Sequence, residues 1–266
     1  MSGSVDDPVL LEVGDDGVAR LTLNRPDAAN AINLELAAAF ADATSQLGAL
    51  PALRAVLLTG AGKRFCAGGD VRAFAAAGED LGEALASVLG PLHRAVEGLA
   101  ELDAPVVAAV QGSAAGAGLS LVAGADLVLA AEDTRFVLAY TSIGLIPDGG
   151  STWYLPRLIG SRRTSELALT NRVLDAHEAL AWGLVTRVVA ERDLLSEAER
   201  LVAELAAGPR GAFGATKRLL RESWSVSLAD QLGREATAMV LAGESGDGQE
   251  GVAAFVEKRP PAFGID

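Results

Sequence analysis

The chain has 266 residues, of which 50% are hydrophobic, and a formal net charge of −13. A chain of this length and composition buries a substantial core, which excludes an intrinsically disordered protein. The acidic excess argues against a nucleic acid or an anionic membrane as the main partner, since both attract clustered Lys and Arg. The single cysteine, Cys66, excludes an internal disulfide and a thiolate metal cluster. The acidic N-terminus MSGSVDD is unlike a secretory signal, and no apolar run reaches membrane-spanning length, so we expect a cytoplasmic protein.

The first part of the chain alternates strand and helix patterns. Apolar and polar positions alternate on both sides of a Gly-Asp-Asp-Gly turn in VLLEVGDDGVARLTLNRP, which predicts a hairpin. A helical spacing follows in NLELAAAFADATSQLGAL, and short apolar runs typical of buried strands follow in AVLLTG and APVVAAVQG. This alternation, which continues to about Tyr140, predicts an α/β fold.

The part of the chain after about Gly160 is nearly all helical in pattern. A helix, a short strand or loop, a second helix and a strand are predicted in RTSELALTNRVLDAHEALAWGLVTRVV. Amphipathic helices that pack on another surface, such as a second subunit, are predicted in ADQLGREATAMVLAGES and QEGVAAFVEKR. We therefore divide the chain into a core, residues 1–200, and a C-terminal helical region, residues 201–266.

Two glycine-rich turns are the first candidates for chemistry. One, KRFCAGGDV, follows the strand AVLLTG; the other, VQGSAAGAGLSLVAGADLVLA, follows APVVAA and opens a helix. Glycine lets a ligand approach backbone N–H groups, and the first turn of a helix adds unpaired donors. Two such turns facing one point can form an oxyanion hole, although tight helix packing explains either stretch alone equally well. The second turn lacks the Gly-Lys-Ser/Thr of a phosphate loop and the GxGxxG spacing, which disfavours nucleotide binding.

Five motifs occur in a fixed order, namely LNRPDAANAIN, FCAGGDV, VQGSAAGAGLSLVAGADLVLA, IGLIPDGGSTWYLPRLIG and FVEKRPPAF. Together they cover nearly the whole chain, and in this order the chain resembles the crotonase family, the enoyl-CoA hydratase and isomerase superfamily. The resemblance implies a crotonase-like spiral of ββα units with a helical C-terminal region used in trimerisation, as a homotrimer or a hexamer built from two trimers. It also implies an acyl-CoA thioester substrate, in which coenzyme A is part of the substrate, with no separate cofactor and no metal.

The resemblance also implies roles for residues of the two turns. The thioester oxygen would accept hydrogen bonds from the backbone N–H groups of Gly69 and Ala117. Substrate-binding positions along RPDAAN and CAGGDV would be Ala28, Ala67, Gly68, Asp70 and Val71. Basic candidates for the phosphates of coenzyme A are Arg25, Arg72 and Lys258, the last from a neighbouring subunit.

Two positions depart from the hydratase pattern. Hydratases of the family carry one glutamate on the helix after the second turn and another near the end of the next strand; Ser120 and Tyr140 stand there in this chain. Without paired carboxylates, adding water to a conjugated double bond lacks its base and its acid. Ser120 and Tyr140 are therefore interpreted as residues that shape the substrate pocket.

Asp148 is the candidate base. Its stretch, GLIPDGGSTWYLP, also fits an aspartate that caps a turn before Gly-Gly. The position is, however, one at which branches similar to dienoyl-CoA isomerases and to the ring-epoxide isomerases of phenylacetate degradation carry a catalytic aspartate. One carboxylate is enough to move a proton from one carbon to another, and an apolar surround including Ile146 and Trp153 would raise its pKa.

Cys66 and His93 are further candidate residues. Cys66 is a small buried filler more often than a nucleophile. His93, in LGPLHRAVEGLAEL, could reach the pocket from an amphipathic helix, but a surface or interface residue is favoured. The leading function is an acyl-CoA isomerase that shifts a double bond or a ring epoxide. The alternatives are an enoyl-CoA hydratase, a homologue that binds acyl-CoA without turnover, and a dehalogenase or thioesterase in which Asp148 attacks as a nucleophile.

Overall fold

A computed structural model describes residues 7–264 of the chain, so that MSGSVD and the last two residues lie outside it. The predicted hairpin is confirmed: strand β1 (Val9–Val13) pairs antiparallel with β2 (Val18–Leu23). The apolar run AVLLTG forms β3 (Ala55–Gly60), which lies parallel to β2. The other strands are β4 (Val106–Val110), β5 (Ser113–Ala115), β6 (Leu127–Ala131), β7 (Arg135–Val137), β8 (Leu174–Asp175) and β9 (Arg187–Val189).

Helices alternate with these strands and then replace them. The α-helices of residues 7–264 are α1 (Leu34–Gly48), α2 (Val71–Ala76), α3 (Leu81–Glu101), α4 (Ala117–Gly124), α5 (Ser151–Leu158), α6 (Ser161–Thr170), α7 (Ala176–Trp182), α8 (Leu194–Ala206), α9 (Arg210–Glu222), α10 (Leu228–Glu244) and α11 (Gly246–Glu257). The helix, strand, helix, strand order predicted for the stretch after Gly160 is confirmed by α6, β8, α7 and β9. None of the helices in residues 7–264 has the length and apolar composition that crossing a bilayer requires.

The larger sheet is buried on both faces. Its strand order is β1-β2-β3-β4-β6-β9, with every pair after the hairpin parallel. Because side chains alternate across a strand, Val56 and Leu58 of β3 point into the core shared with α1 and α3, whereas Ala55 and Leu57 pack against α8. This double burial explains why the strands read as continuous apolar runs.

The smaller sheet carries the part of the chain that matters for the site. Its order is β5-β7-β8, with β5 and β7 parallel. The chain passes from β4 in the larger sheet to β5 in the smaller one and then enters α4, and it repeats the crossing from β6 to β7. This strand, strand, helix order is the ββα spiral that the resemblance implied.

The C-terminal helices leave apolar surface uncovered. Helix α8 packs on β3 and β4 and continues past residue 200, where the sequence predicted the end of the core. The division of the chain at that residue stays a prediction. Helix α10 buries none of its residues, and α11 buries Asp247 and Ala254. The exposed apolar side chains of α10 and α11 include Leu228, Leu232, Met239, Val240, Leu241, Val252, Phe255 and Val256. So many exposed apolar side chains on two successive helices are typical of a protein–protein interface.

Candidate active site

Backbone hydrogen bonds join the two glycine-rich turns. The Cys66 N–H donates to the Ser113 carbonyl of β5 at 3.2 Å, and the Ala115 N–H donates back to the Cys66 carbonyl at 2.9 Å. Gly68, two residues on, has a φ of +91°, and a Cβ there would lie 2.8 Å from the Ala115 oxygen. A glycine is therefore required where the two turns meet.

Cys66 is a packing residue. Its side chain is fully buried, and its thiol lies 3.2 Å from the Asn30 carbonyl oxygen. Burial raises the pKa of this thiol to about 12, so that it stays protonated and is a poor nucleophile.

The backbone amides of Gly69 and Ala117 fit an oxyanion hole. Ala117 is the first residue of α4, where the N–H has no intrahelical partner, and it follows Gly116 with a φ of +50°. Within residues 7–264, neither the Gly69 N–H nor the Ala117 N–H donates to a protein acceptor. Both residues line a cavity of about 480 Å³. Two unpaired donors that open into one cavity can hold an oxygen that develops negative charge.

The walls of this cavity are mostly apolar. Helix α3 supplies Leu85, Val88, Leu89 and Leu92, and the opposite wall comes from residues 138–152. Among the described residues, the titratable side chains that line the cavity are His93, Tyr140 and Asp148. A mainly apolar cavity with few polar groups is typical of a site for a largely apolar ligand.

Asp148 is held by the loop that begins α5. The two following residues, Gly149 and Gly150, have φ values of +58° and +84°, a conformation in which glycine costs least. The Ser151 N–H and hydroxyl both donate to the Asp148 carbonyl, at 3.1 and 3.0 Å. The capping alternative for Asp148 is not met, because no side chain caps α5 and only the backbone carbonyl of the aspartate accepts bonds from Ser151. The residue itself lines the cavity.

The environment of the Asp148 carboxylate favours a base. Burial raises its pKa above the usual range for an aspartate, and this effect exceeds those of the Tyr140 hydrogen bond and the His93 charge, which lower it. A carboxylate with a raised pKa accepts a carbon-bound proton more readily than an exposed one. Ile146 lines the cavity as expected, but the expectation for Trp153 is not met, because its ring lies in a neighbouring cavity.

Ser120 and Tyr140 both contact Asp148. The Tyr140 hydroxyl donates a hydrogen bond to Oδ1 of the carboxylate, and the Ser120 hydroxyl donates to the Asp148 carbonyl at 2.8 Å. Tyr140 lines the cavity, whereas Ser120 is fully buried behind it. Burial and the Asp148 charge raise the pKa of the Tyr140 phenol far above its usual value, so Tyr140 keeps the proton that it donates to the carboxylate.

The structure separates the predicted site residues into groups. The cavity brings together seven of them, namely Ala67, Gly68, Gly69, Val71, Ala117, Tyr140 and Asp148. Outside the lining lie Ala28, Arg25, Asp70, Ser120 and Lys258.

Arg25 and Asp70 form a salt bridge beside the first turn. Nη1 of Arg25 lies 3.1 Å from an Asp70 oxygen, and the other Asp70 oxygen accepts the Ala73 N–H at the start of α2. Ala28 lies in the loop that begins with Arg25, and Lys258 follows the last residue of α11. The Arg25 guanidinium is therefore partly neutralised before any phosphate arrives.

Sequence reasoning favoured a surface or interface role for His93 and did not single out Asn30. His93 is exposed on α3, as expected, and it also lines the cavity. Asn30 is fully buried, and its amide nitrogen donates to the carbonyls of Ala61, Arg64 and Phe65 at 2.8–3.1 Å, which fixes the loop that leads to the first turn. The signal for Asn30 was its place in RPDAAN, where a buried polar side chain must find backbone partners.

Comparison with known proteins places this geometry in a family. A sequence model of the enoyl-CoA hydratase/isomerase family matches residues 14–265. The chain belongs to the enoyl-CoA hydratase/isomerase family. Within residues 7–264, no group of three or more His, Cys, Asp or Glu side chains is placed to hold a metal ion.

Relatives of this family agree on the fold and differ in their named activity. The 1,2-epoxyphenylacetyl-CoA isomerase of Escherichia coli K12 is 42% identical over 251 residues, which are 93% of this chain and 95% of that protein. The crystal structure of an enoyl-CoA hydratase from Polaromonas sp. JS666 superposes with a TM-score of 0.91 at 35% identity, and covers 96% of this chain and 99% of that one. A crystal structure from Mycobacterium smegmatis, also of an enoyl-CoA hydratase, gives a TM-score of 0.89 at 33% identity over 96% and 98% of the two chains. The crotonase-like fold is thereby confirmed.

Proposed function

We propose that this family member is an acyl-CoA isomerase that shifts a double bond or a ring epoxide by proton transfer. The observation that carries the proposal is the cavity itself: among the described residues, Asp148 is the one carboxylate that lines it. Ser120 and Tyr140 stand where hydratases are expected to carry glutamates, and neither supplies a second carboxylate. The similarity to an epoxyphenylacetyl-CoA isomerase supports the same choice.

The proposed reaction uses the groups that open into the cavity. The thioester oxygen accepts hydrogen bonds from the Gly69 and Ala117 amides, and the Asp148 carboxylate removes a proton from the α carbon. The electron pair of the C–H bond moves to form an enolate, whose negative oxygen those two amides stabilise. Asp148, now a carboxylic acid, returns the proton to another carbon of the conjugated system and regains its charge.

The cavity favours an uncharged acyl group. Its walls are mostly aliphatic, and within residues 7–264 no Lys or Arg lines it. An acyl group with a free carboxylate would thus be buried without a Lys or Arg partner and near the Asp148 carboxylate, at a large cost. We therefore propose an apolar or aromatic acyl chain, with coenzyme A as the rest of the substrate and no other cofactor. A cytoplasmic location is part of the same proposal.

Coenzyme A would extend from the cavity past the segments that carry Arg25 and Arg72. In this proposal the adenine and pantetheine follow Ala28 and the turn Ala67–Val71, and the phosphates meet Arg72, Arg25 and Lys258. Arg72 is exposed on α2, whereas Arg25 already pairs with Asp70, so Arg72 is the stronger phosphate candidate within one subunit.

We expect the purified protein to exchange the α protons of phenylacetyl-CoA with solvent deuterium and to isomerise 3-hexenoyl-CoA. Hydration of trans-2-hexenoyl-CoA should be slow in the same preparation, because paired carboxylates are missing. Mass spectrometry measures the exchange, and absorbance of the conjugated thioester measures the other two reactions. Efficient hydration without isomerisation would support the hydratase alternative; binding without α-proton exchange would support a non-catalytic acyl-CoA-binding protein. A covalent adduct on Asp148 would support the nucleophilic route.

We also propose a homotrimer, or a hexamer built from two trimers, as the native form. The apolar side chains exposed along α10 and α11 support it, since leaving this much apolar surface in water is unfavourable and another subunit can cover it. Sedimentation equilibrium at micromolar concentration should give three or six times the mass of the chain. A stable monomer would remove this proposal, and with it the role of Lys258 from a neighbouring subunit.

A further inference from the structure

The contacts around Asp148 form a directed hydrogen-bond network. Ser120 has one hydroxyl proton and three acceptors within reach: the Asp148 carbonyl at 2.8 Å, and the Gly116 carbonyl and the Tyr140 oxygen, both at 3.4 Å. The shortest contact takes that proton, since a hydrogen bond weakens steeply as its length grows. Tyr140 is left to give its own proton to Oδ1 of Asp148.

The protonation state of Tyr140 fixes the direction of this network. Its ring is largely buried against the cavity wall and it faces an anionic neighbour, so its phenol keeps its proton at any working pH. Tyr140 is therefore a permanent donor to the carboxylate. Since Oδ1 accepts that bond, Oδ2 is the oxygen left to take a proton from a ligand in the cavity.

The backbone of Asp148 is held just as firmly. Its carbonyl accepts hydrogen bonds from the Ser120 hydroxyl and from the amide and hydroxyl of Ser151. Gly149 packs directly on Ser120, because a Cβ at that glycine would lie 2.9 Å from the Ser120 Cβ. The loop that carries the carboxylate therefore rests on the buried serine of α4.

We propose that Tyr140 and Ser120 are the positioning residues of Asp148, in which Tyr140 fixes the carboxylate through Oδ1 and Ser120 fixes the loop through its carbonyl. This inference rests on the proposed function, because it assigns the two residues to the base of that reaction. Neither residue exchanges a proton with the substrate. Tyr140 acts on the orientation and basicity of the carboxylate, whereas Ser120 acts on the position of the loop.

The two roles have different signatures in a pH profile. The titratable groups that face Asp148 are Tyr140 and, from α3, His93, and both lower the pKa of the carboxylate. The reaction needs the ionised carboxylate, so its rate falls on the acid side as pH drops through that pKa. Removing the Tyr140 hydroxyl removes a lowering contact, so the acid limb moves to higher pH. Removing the Ser120 hydroxyl leaves the carboxylate contact in place, so the limb stays where it is.

The test is the pH dependence of 3-hexenoyl-CoA isomerisation and of phenylacetyl-CoA deuterium exchange in Tyr140→Phe and Ser120→Ala. In Tyr140→Phe we expect kcat on the plateau to fall about tenfold, with KM nearly unchanged and the acid limb shifted to higher pH. In Ser120→Ala we expect a lower plateau and an unshifted limb. The matched control is Tyr154→Phe, which deletes the same hydroxyl from a tyrosine of α5 that does not line this cavity, and it should follow the parent.

The outcomes separate this inference from the proposed function. If Asp148→Asn retains parental exchange and isomerisation, the proposed function and this inference are both wrong. If Asp148→Asn is inactive while Tyr140→Phe matches the parent in plateau and acid limb, the positioning role alone is overturned. A fall in kcat for Tyr140→Phe without any movement of the acid limb overturns the role of Tyr140, because the carboxylate contact would then not set the pKa. A parental plateau in Ser120→Ala, or a shifted acid limb in that variant, overturns the role of Ser120.

Discussion

Replacement of Asp148 by asparagine is expected to lower isomerisation by about a hundredfold or more, as expected for the loss of a general base. Asparagine keeps the size of the side chain, and its amide oxygen can still accept the hydrogen bond that Tyr140 now gives to Oδ1. It cannot take a proton from carbon. Turnover of 3-hexenoyl-CoA and deuterium exchange of phenylacetyl-CoA should therefore fall together, while binding of both thioesters by calorimetry stays near the parental affinity.

Asp133→Asn is the matched control for this change. Asp133 is exposed in the turn between β6 and β7, away from the cavity lining, so the same substitution there should leave turnover unchanged. A parental rate in Asp148→Asn would mean that another group removes the proton. Loss of thioester binding in that variant would instead assign Asp148 to substrate recognition.

Ala117→Pro is expected to reduce kcat by about a hundredfold to a thousandfold, the usual effect of losing one oxyanion donor, equivalent to about 3 to 4 kcal/mol. Ala117 is the first residue of α4, the helix position that tolerates proline best, and its N–H has no protein acceptor within residues 7–264. Proline therefore removes a donor to the ligand without removing a hydrogen bond of the fold.

Ala117→Gly separates the amide from the side chain. This variant keeps the N–H and loses only the methyl group, so it should retain most of the turnover that Ala117→Pro loses. Circular dichroism and a thermal melt check that α4 still forms in both variants. Equal turnover in Ala117→Pro and the parent, with normal folding, would show that the carbonyl of the substrate binds elsewhere.

Local pattern was enough for much of the fold, and the reason is visible in β3. Its residues Ala55–Gly60 coincide with the apolar run AVLLTG, because a strand buried on both faces must be apolar throughout. Strand β5 was not anticipated. Its three residues, Ser113–Ala115, lack β-branched or aromatic side chains and form a strand because they pair with β7 and with Cys66.

The parts of the candidate site that lie within sequence motifs could be predicted. The two turns and Asp148 sit in motifs whose order carries information, and all three line one cavity. The place of His93 on the cavity was left open by the sequence, because helical spacing tells which side chains share a face of α3 and not which part of that face borders a cavity. The Trp153 prediction failed for a related reason, because nearness to Asp148 along the chain does not tell which cavity a side chain of α5 lines, and Trp153 lines a neighbouring one.

The hydrogen bonds between Cys66 and β5 hold the two glycine-rich turns together independently of the loop that carries Asp148. Main-chain hydrogen bonds close the two glycine turns on each other, so the proposed oxyanion hole at Gly69 and Ala117 is built without the side chains at positions 120, 140 and 148. Those three side chains can change during evolution while the two turns are retained. Each new combination would then act on a thioester carbonyl held in the same place. A designer who wants another reaction from this scaffold should therefore vary the loop after β7 together with residue 120, and leave both turns untouched.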